Sequence, residues 1–247
     1  MDKKLNGHPS NGQGAPSPGS PADPEAHEPD DQDVEGAGSV EVAEPAPRQA
    51  PPPPAVIADL AESCVRYVER SLGVKLDYTA ETLPLLDHYL AEAQKALVAQ
   101  SESDAKAALA TLPLLVHTAG AYFGEVIRRR YPSWWRLEGD DPMTFRVELE
   151  TAYLALSPML LVYETLARGL SMRGDESAFE SAQIEMDEED QKAAAERLAD
   201  LEVDDEEYYA PSTRLETIDV CVETIRARRL AAGDPVEMAL TPEDYET

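Results

Sequence analysis

Apolar residues recur at helical spacing over most of the chain, and the pattern begins abruptly at residue 55. Ile57, Leu60, Ala61, Cys64, Val65, Val68 and Leu72 fall on one face of a helix over about 55–72, which Gly73 ends. Pro84 is tolerated only in a first helical turn, so Thr82 is the expected N-cap of a second helix running to about Gln100. Its seam reads Leu83, Leu86, Leu90, Ala93 and Leu97, the spacing of a helix packed on another helix. Ser101-Glu102-Ser103 makes a short turn into an antiparallel third helix over about 103–131. Ala105, Leu109, Leu112, Leu115, Val116, Ala119, Phe123, Val126 and Ile127 form its expected face, and Pro113 should kink or break it.

The period then changes. Trp134, Trp135 and Leu137 precede a turn-rich Glu138-Gly139-Asp140-Asp141-Pro142. Phe145, Val147 and Leu149 alternate with Arg146, Glu148 and Glu150, a half-buried strand, and Tyr153 to Leu156 supplies a third. A small antiparallel meander over about 134–156 is expected. Ser157-Pro158 matches an N-cap and first helical residue, opening a helix to about Arg168. Beyond it, Asp187 to Leu201 reads as a solvated helix with little to bury. Leu215, Ile218, Val222 and Ile225 make one more amphipathic helix, whose stripe needs a surface and is expected to dock on the domain.

The fold class is therefore α+β and mostly helical: antiparallel helices packed with a small β-meander, between long disordered acidic flanks. The expected organisation is an arm over 1–54, a domain over 55–170, an acidic and partly helical linker over 171–211, a helix over 212–232 and an acidic tail over 233–247. The arm holds 12 of the 20 prolines and no aromatic residue, too little apolar surface to offset its ordering entropy. Pro51 to Pro54 would lift it off the fold as a stiff spacer.

Net charge is −28, and 171–210 alone carries 15 acids against three bases. Phosphate backbones and anionic lipids would be repelled, so neither nucleic acid nor membrane is an expected partner. A basic protein is. No apolar run follows Lys3 and Lys4, so no secretory signal is expected, nor any apolar run of about 20 residues to cross a membrane. Cys64 and Cys221 fit buried reduced thiols of a cytoplasmic protein better than a bridge.

Gly120, Tyr122, Gly124 and Glu125 on the third helix, with Trp134 and Trp135 after it, form the candidate motif. Mid-helix glycine costs about 0.5–1 kcal/mol against alanine, so two at this spacing imply close packing. Glu125 then pairs with Arg128 or Arg129. The sharper reading makes it a buried acid walled by Tyr122 and Trp135. His88, Glu92 and His117 are too few ligands for a metal site, and no metal or cofactor is expected. The acidic runs lack a calcium-loop pattern, while Tyr208-Tyr209 is a candidate docking element. No Gly-x-Ser-x-Gly, phosphate loop or dinucleotide fingerprint is present.

The order Leu76-Asp77-Tyr78, Leu83 to Leu90, Gly120-Ala121-Tyr122-Phe123-Gly124-Glu125-Val126-Ile127, an arginine run and Trp134 or Trp135 resembles uncharacterised bacterial domains of unknown function. There a helical pair leads to a Gly-x-x-x-Gly-Glu helix, a tryptophan-started sheet and a proline-initiated last helix. The resemblance covers about 75–170 and implies a fold with no catalytic residues. The functional expectation is a non-catalytic intracellular interaction module, adaptor or immunity-like, presenting an acidic surface. The alternative is an enzyme or small-ligand protein with a pocket around Glu125 and Trp135.

Overall fold

In the structure, a computed structural model, residues 51–168, 170, 184–199, 204 and 207–246 are described, all within one unit spanning Pro45–Thr247. The arm over 1–50, most of the acidic stretch over 171–183 and parts of 200–206 lie outside the described residues, together with the expectations placed on them.

Helix α1 spans Ala55–Leu72, α2 Leu83–Ser103 and α3 Ala105–Arg130. Gly73 ends α1 in the left-handed conformation (φ 71°), as its sequence position predicts. Asp104 separates α2 from α3 and caps the latter, accepting from the Ala107 amide at 3.1 Å. Helix α4 spans Pro158–Ala167, with Ser157 accepting from Leu160 N as its N-cap. Strands β1 (Ser133–Arg136), β2 (Arg146–Leu149), β3 (Leu154–Leu156) and β4 (Glu185–Met186) form one antiparallel sheet in the order β1-β2-β3-β4. Helices α5 (Glu188–Leu198) and α6 (Pro211–Ala232) complete the described elements. The fold is α+β and mostly helical.

Helix α3 is the axis of the core and packs on α1, α2 and α4. From Thr118 to Arg128 every residue is buried, so this half has no wet face. The first half differs from expectation. Ala105 and Leu109 are exposed, and the inward residues are Ala108, Leu112 and Val116. The helix also continues through Pro113 instead of breaking. Pro113 and Leu109, whose carbonyl loses its helical donor, both lie on the solvent side, where water can satisfy that oxygen. By length and composition α3 is apolar enough to cross a membrane, contrary to the sequence expectation. Its wrapping by three helices accounts for the composition.

Three further expectations are corrected. Pro51 is not lifted off the fold: its carbonyl accepts from Arg128 Nη2 at 2.7 Å. The acidic stretch is not merely a connection, since Glu185 and Met186 add β4 to the sheet, and α5 buries Asp190 and Ala194 while packing on α6. Glu148 is not on an exposed face but fully buried. All three differences arise from pieces distant in sequence covering surfaces that local periodicity reads as wet. Helix α6 docks on its own chain, burying Leu215, Ile218, Cys221, Val222 and Ile225 against α2, α4 and α5. Each such aliphatic side chain contributes roughly 1.5–3 kcal/mol on burial.

Candidate functional site

The second half of α3 places the candidate residues. At Gly120 an added Cβ would sit 2.7 Å from Met159 Cα, and at Gly124 it would enter the Trp135 ring. The two glycines therefore let α4 and β1 approach α3 closer than any side chain permits. Beside them Glu125 Oε1 accepts from Trp135 Nε1 and from Arg128 Nη1, both at 2.7 Å. Glu125 and Arg128 are 6% and 3% exposed, which makes this a buried ion pair. Arg128 is held further by the Pro51 and Ser133 carbonyls. With its oxygen shared by two fixed donors, Glu125 acts here as a strut between helix and sheet.

Trp134 points to the opposite face of β1, as strand alternation requires. There it repeats the same chemistry. Directly across from it in register, Glu148 accepts from Trp134 Nε1 at 2.7 Å and from Arg136 Nε at 2.6 Å. Adjacent tryptophans thus each deliver an indole N–H to a carboxylate that also holds an arginine, one pair on each side of the sheet. The outer pair is sealed by the C-terminal segment. Arg136 also donates to the Pro242 carbonyl, and Met238 and Leu240 donate from their amides to the Thr151 and Glu150 carbonyls. Tyr245 stacks on Tyr153 at 4.8 Å and meets Trp134 edge-on.

Tyr122 does not wall Glu125. Its ring stacks on Tyr78 at 4.8 Å, and its hydroxyl accepts from the Tyr78 amide at 3.0 Å and bonds Thr82 Oγ1. Tyr78 holds a positive φ of 66°, uncommon for a bulky residue. Several contacts hold it there: Asp77 Oδ1 accepts from Thr79 and Thr82, and Arg129 lies 4.2 Å over the Tyr78 ring. Those Thr79 bonds hold the Asp77 carboxyl below its usual range. The structure thus unites Gly124, Glu125 and Trp135, places Gly120 one turn away, and sends Tyr122 and Trp134 elsewhere.

Each arginine at the end of α3 has its own long-range or buried partner, beyond the helix dipole. Arg130 pairs with Asp219 of α6 through two bonds of 2.7 and 2.6 Å, and Tyr131 also donates to Asp219. His88 is exposed and Glu92 is paired with Lys95, so the residues considered for a metal do not converge. Among the described residues no three His, Cys, Asp or Glu side chains are grouped to hold an ion. Both cysteines are buried and unbridged, and burial pushes Cys64 up to about 12, which keeps the thiol inert.

Residues that sequence reasoning missed lie on α4 and α6. Arg214 donates to Glu164 Oε2 at 2.6 Å, both largely buried, with Tyr208 and Tyr209 against its guanidinium. No local signal marks this pair, because the two residues come from helices 50 positions apart. Burial pushes Glu164 above its usual value, with Arg214 pulling it partly back; burial likewise raises Asp87, offset by the Ser212 amide. A carboxyl raised on folding contributes stability that is full below its unfolded value and lost as pH rises through its folded one. His117, lowered by burial and partly restored by Asp141, acts oppositely as pH falls below its ordinary value. Acids that are lowered, such as Glu92 beside Lys95, are fully exposed and weakly coupled. Glu164 and Asp87 should therefore add to the Tm of the full chain as pH falls toward the ordinary carboxylate range, while His117 subtracts from it below its own ordinary value. Glu164→Gln and Asp87→Asn should each remove part of the carboxylate contribution. A pH dependence of Tm unchanged in both variants contradicts the assignment.

No family model, curated protein or solved structure matches the chain.

Proposed function

We propose that this chain is a non-catalytic interaction module of the cell interior that presents an acidic surface to a basic protein partner. The observation that carries this reading is how its charges are used. Arg128, Arg130, Arg136, Arg214 and Arg228 are each bound to a carboxylate of the same chain. The fold thus engages these five cations internally, in a chain whose net charge is −28. Among the described residues Glu102, Glu188 and Asp234 are examples of carboxylates that face solvent, where such groups steer a cationic partner and repel anions. One concentration lies where α5 begins and α6 ends: Asp187, Glu188 and Asp234 are exposed around an open cleft of about 500 Å³. Adaptor and immunity-like roles both need such a surface, and the likeness to uncharacterised bacterial domains adds no chemistry against them.

Deleting the acidic stretch is a poor test, since α5 packs on α6. The better comparison is the intact chain against Asp187→Asn/Glu188→Gln/Asp234→Asn, each used to capture proteins from the native cell. A basic partner should be retained at low salt, released as ionic strength rises, and bound about tenfold more weakly by the variant, at roughly 0.5 kcal/mol for each charge removed. Capture of nothing, or capture indifferent to salt and to the variant, would sink the proposal.

A further inference from the structure

One face of α3 is apolar and uncovered. Along its first half Lys106, Leu109, Ala110, Pro113 and Leu114 are exposed, and His117 beyond them is half-buried. Leu109 and Leu114 are each 49% exposed. With Ala110 and Pro113 between them they form a contiguous patch, which marks an interaction surface where scattered single residues would not. Lys106, Ala110, Pro113 and His117 follow at steps of four, three and four, the seam by which one helix packs on another. Read from either end, the face runs polar, leucine, compact, compact, leucine, polar. A second α3 laid antiparallel therefore matches it. Leu109 comes level with Leu114 of the second copy, Ala110 with Pro113, and Lys106 with His117, the self-complementarity that a two-fold interface requires. The compact pair at the centre lets the two backbones approach.

Charge completes the match. Asp141 is exposed and lies close enough to His117 for its charge to act on the imidazole. Lys106 stands at the other end of the face, about 16 Å along the helix axis. The antiparallel arrangement brings each lysine to the aspartate end of the other copy. Asp104, the acid next to Lys106 on its own chain, is engaged in capping the helix. No Asp or Glu occurs between Ala105 and Gly124, in a chain that holds 49 of them. This face is therefore the wrong chemistry for a basic partner, and two copies can meet on it without opposing rows of carboxylates.

We infer that the chain associates with a second copy of itself through this face of α3, antiparallel about a two-fold axis, Lys106 of each copy paired with Asp141 of the other. Six side chains from each copy make a small interface, below about 1,200 Å² in total, so the dissociation constant is on the order of 100 µM. The inference does not rest on the acidic surface around α5 and α6, which other residues form.

Sedimentation equilibrium of the full chain at about 0.15 M salt, where charge repulsion is screened beyond about 8 Å, reads the association directly. The mean mass should climb from 27.0 kDa toward twice that value as concentration rises from about 10 to about 500 µM. Leu109→Gln/Leu114→Gln removes apolar contact without adding charge, and should weaken association about tenfold or more with circular dichroism unchanged. Lys106→Glu and Asp141→Lys should each weaken self-association about tenfold, since both symmetry-related pairs become repulsive. An equimolar mixture of these two variants should recover the parent affinity, because every reversed charge then meets its opposite. Should Asp141→Lys disturb its own turn, the leucine variant decides alone. A mass that stays at 27.0 kDa throughout would mean that no second copy covers the face, and overturns the inference. So would association indifferent to the leucine variant or, with both charge variants folded, a mixture no tighter than its parts.

Discussion

Glu125→Ala should destabilise the fold by about 3–5 kcal/mol, the usual penalty for removing one partner of a buried ion pair. The cost comes from what stays behind. Arg128, 3% exposed, keeps its charge and loses its counter-ion, and Trp135 keeps a buried indole N–H that no longer has an acceptor at 2.7 Å. Against a total stability of about 5–15 kcal/mol for a domain of this kind, the loss leaves little margin. Glu125→Gln should cost less, because an amide oxygen still accepts from both donors. The double change Glu125→Leu/Arg128→Met should recover the part of the loss due to the unpaired Arg128 charge, but not the part due to the Trp135 N–H, which still lacks an acceptor. Urea unfolding of the full chain, read by circular dichroism, gives all three values. A Glu125→Ala midpoint within experimental error of the parent would mean that the carboxylate is not the strut described above.

The sequence made much of this legible where the signal was local. Ser157-Pro158, Thr82 before Pro84 and Gly73 mark helix ends through backbone preferences acting over one turn, and the structure places ends there. Thr82 shows the limit: its hydroxyl bonds Asp77 and Tyr122, not the helix it precedes. Glycines four apart on an otherwise apolar helix announced close packing, though not against which neighbour. The Glu125–Arg128 pair, three residues apart, was readable for the same reason. What was not readable depends on which distant piece covers a surface. Glu148 sits in an alternating strand, and alternation means half-exposed unless something covers the polar face. Here the C-terminal residues do so, about ninety positions later. Helix α5 looked solvated because its composition is polar, yet Ala194 and Asp190 suffice as contacts when α6 offers Arg228. The Glu164–Arg214 pair fails on both counts, having neither spacing nor composition to betray it.

Tyr245→Ala is expected to cost about 3–5 kcal/mol, as for other buried aromatic truncations, although it lies two residues from the last one. Its ring stacks on Tyr153 with an interplanar angle of 11° and meets Trp134 at 5.8 Å. Its hydroxyl lies 2.7 Å from the Leu149 carbonyl, to which it donates, and accepts from the Leu154 amide at 3.0 Å. Removing the side chain therefore withdraws an acceptor from the start of β3 and opens the face that shields Glu148 and Arg136. With only two tryptophans in the chain, the readout is direct: Trp134 emission should shift to the red while Trp135, beneath the sheet, is unmoved. Tyr245→Phe separates the two contributions. It retains the ring contacts and loses the hydroxyl, leaving the Leu154 N–H unsatisfied at a cost of about 1–3 kcal/mol, without the red shift. If the phenylalanine variant costs as much as alanine, the hydroxyl alone is the latch. If neither variant moves the midpoint or the emission, the C-terminal segment does not hold the outer face, and the burial of Glu148 needs another cause.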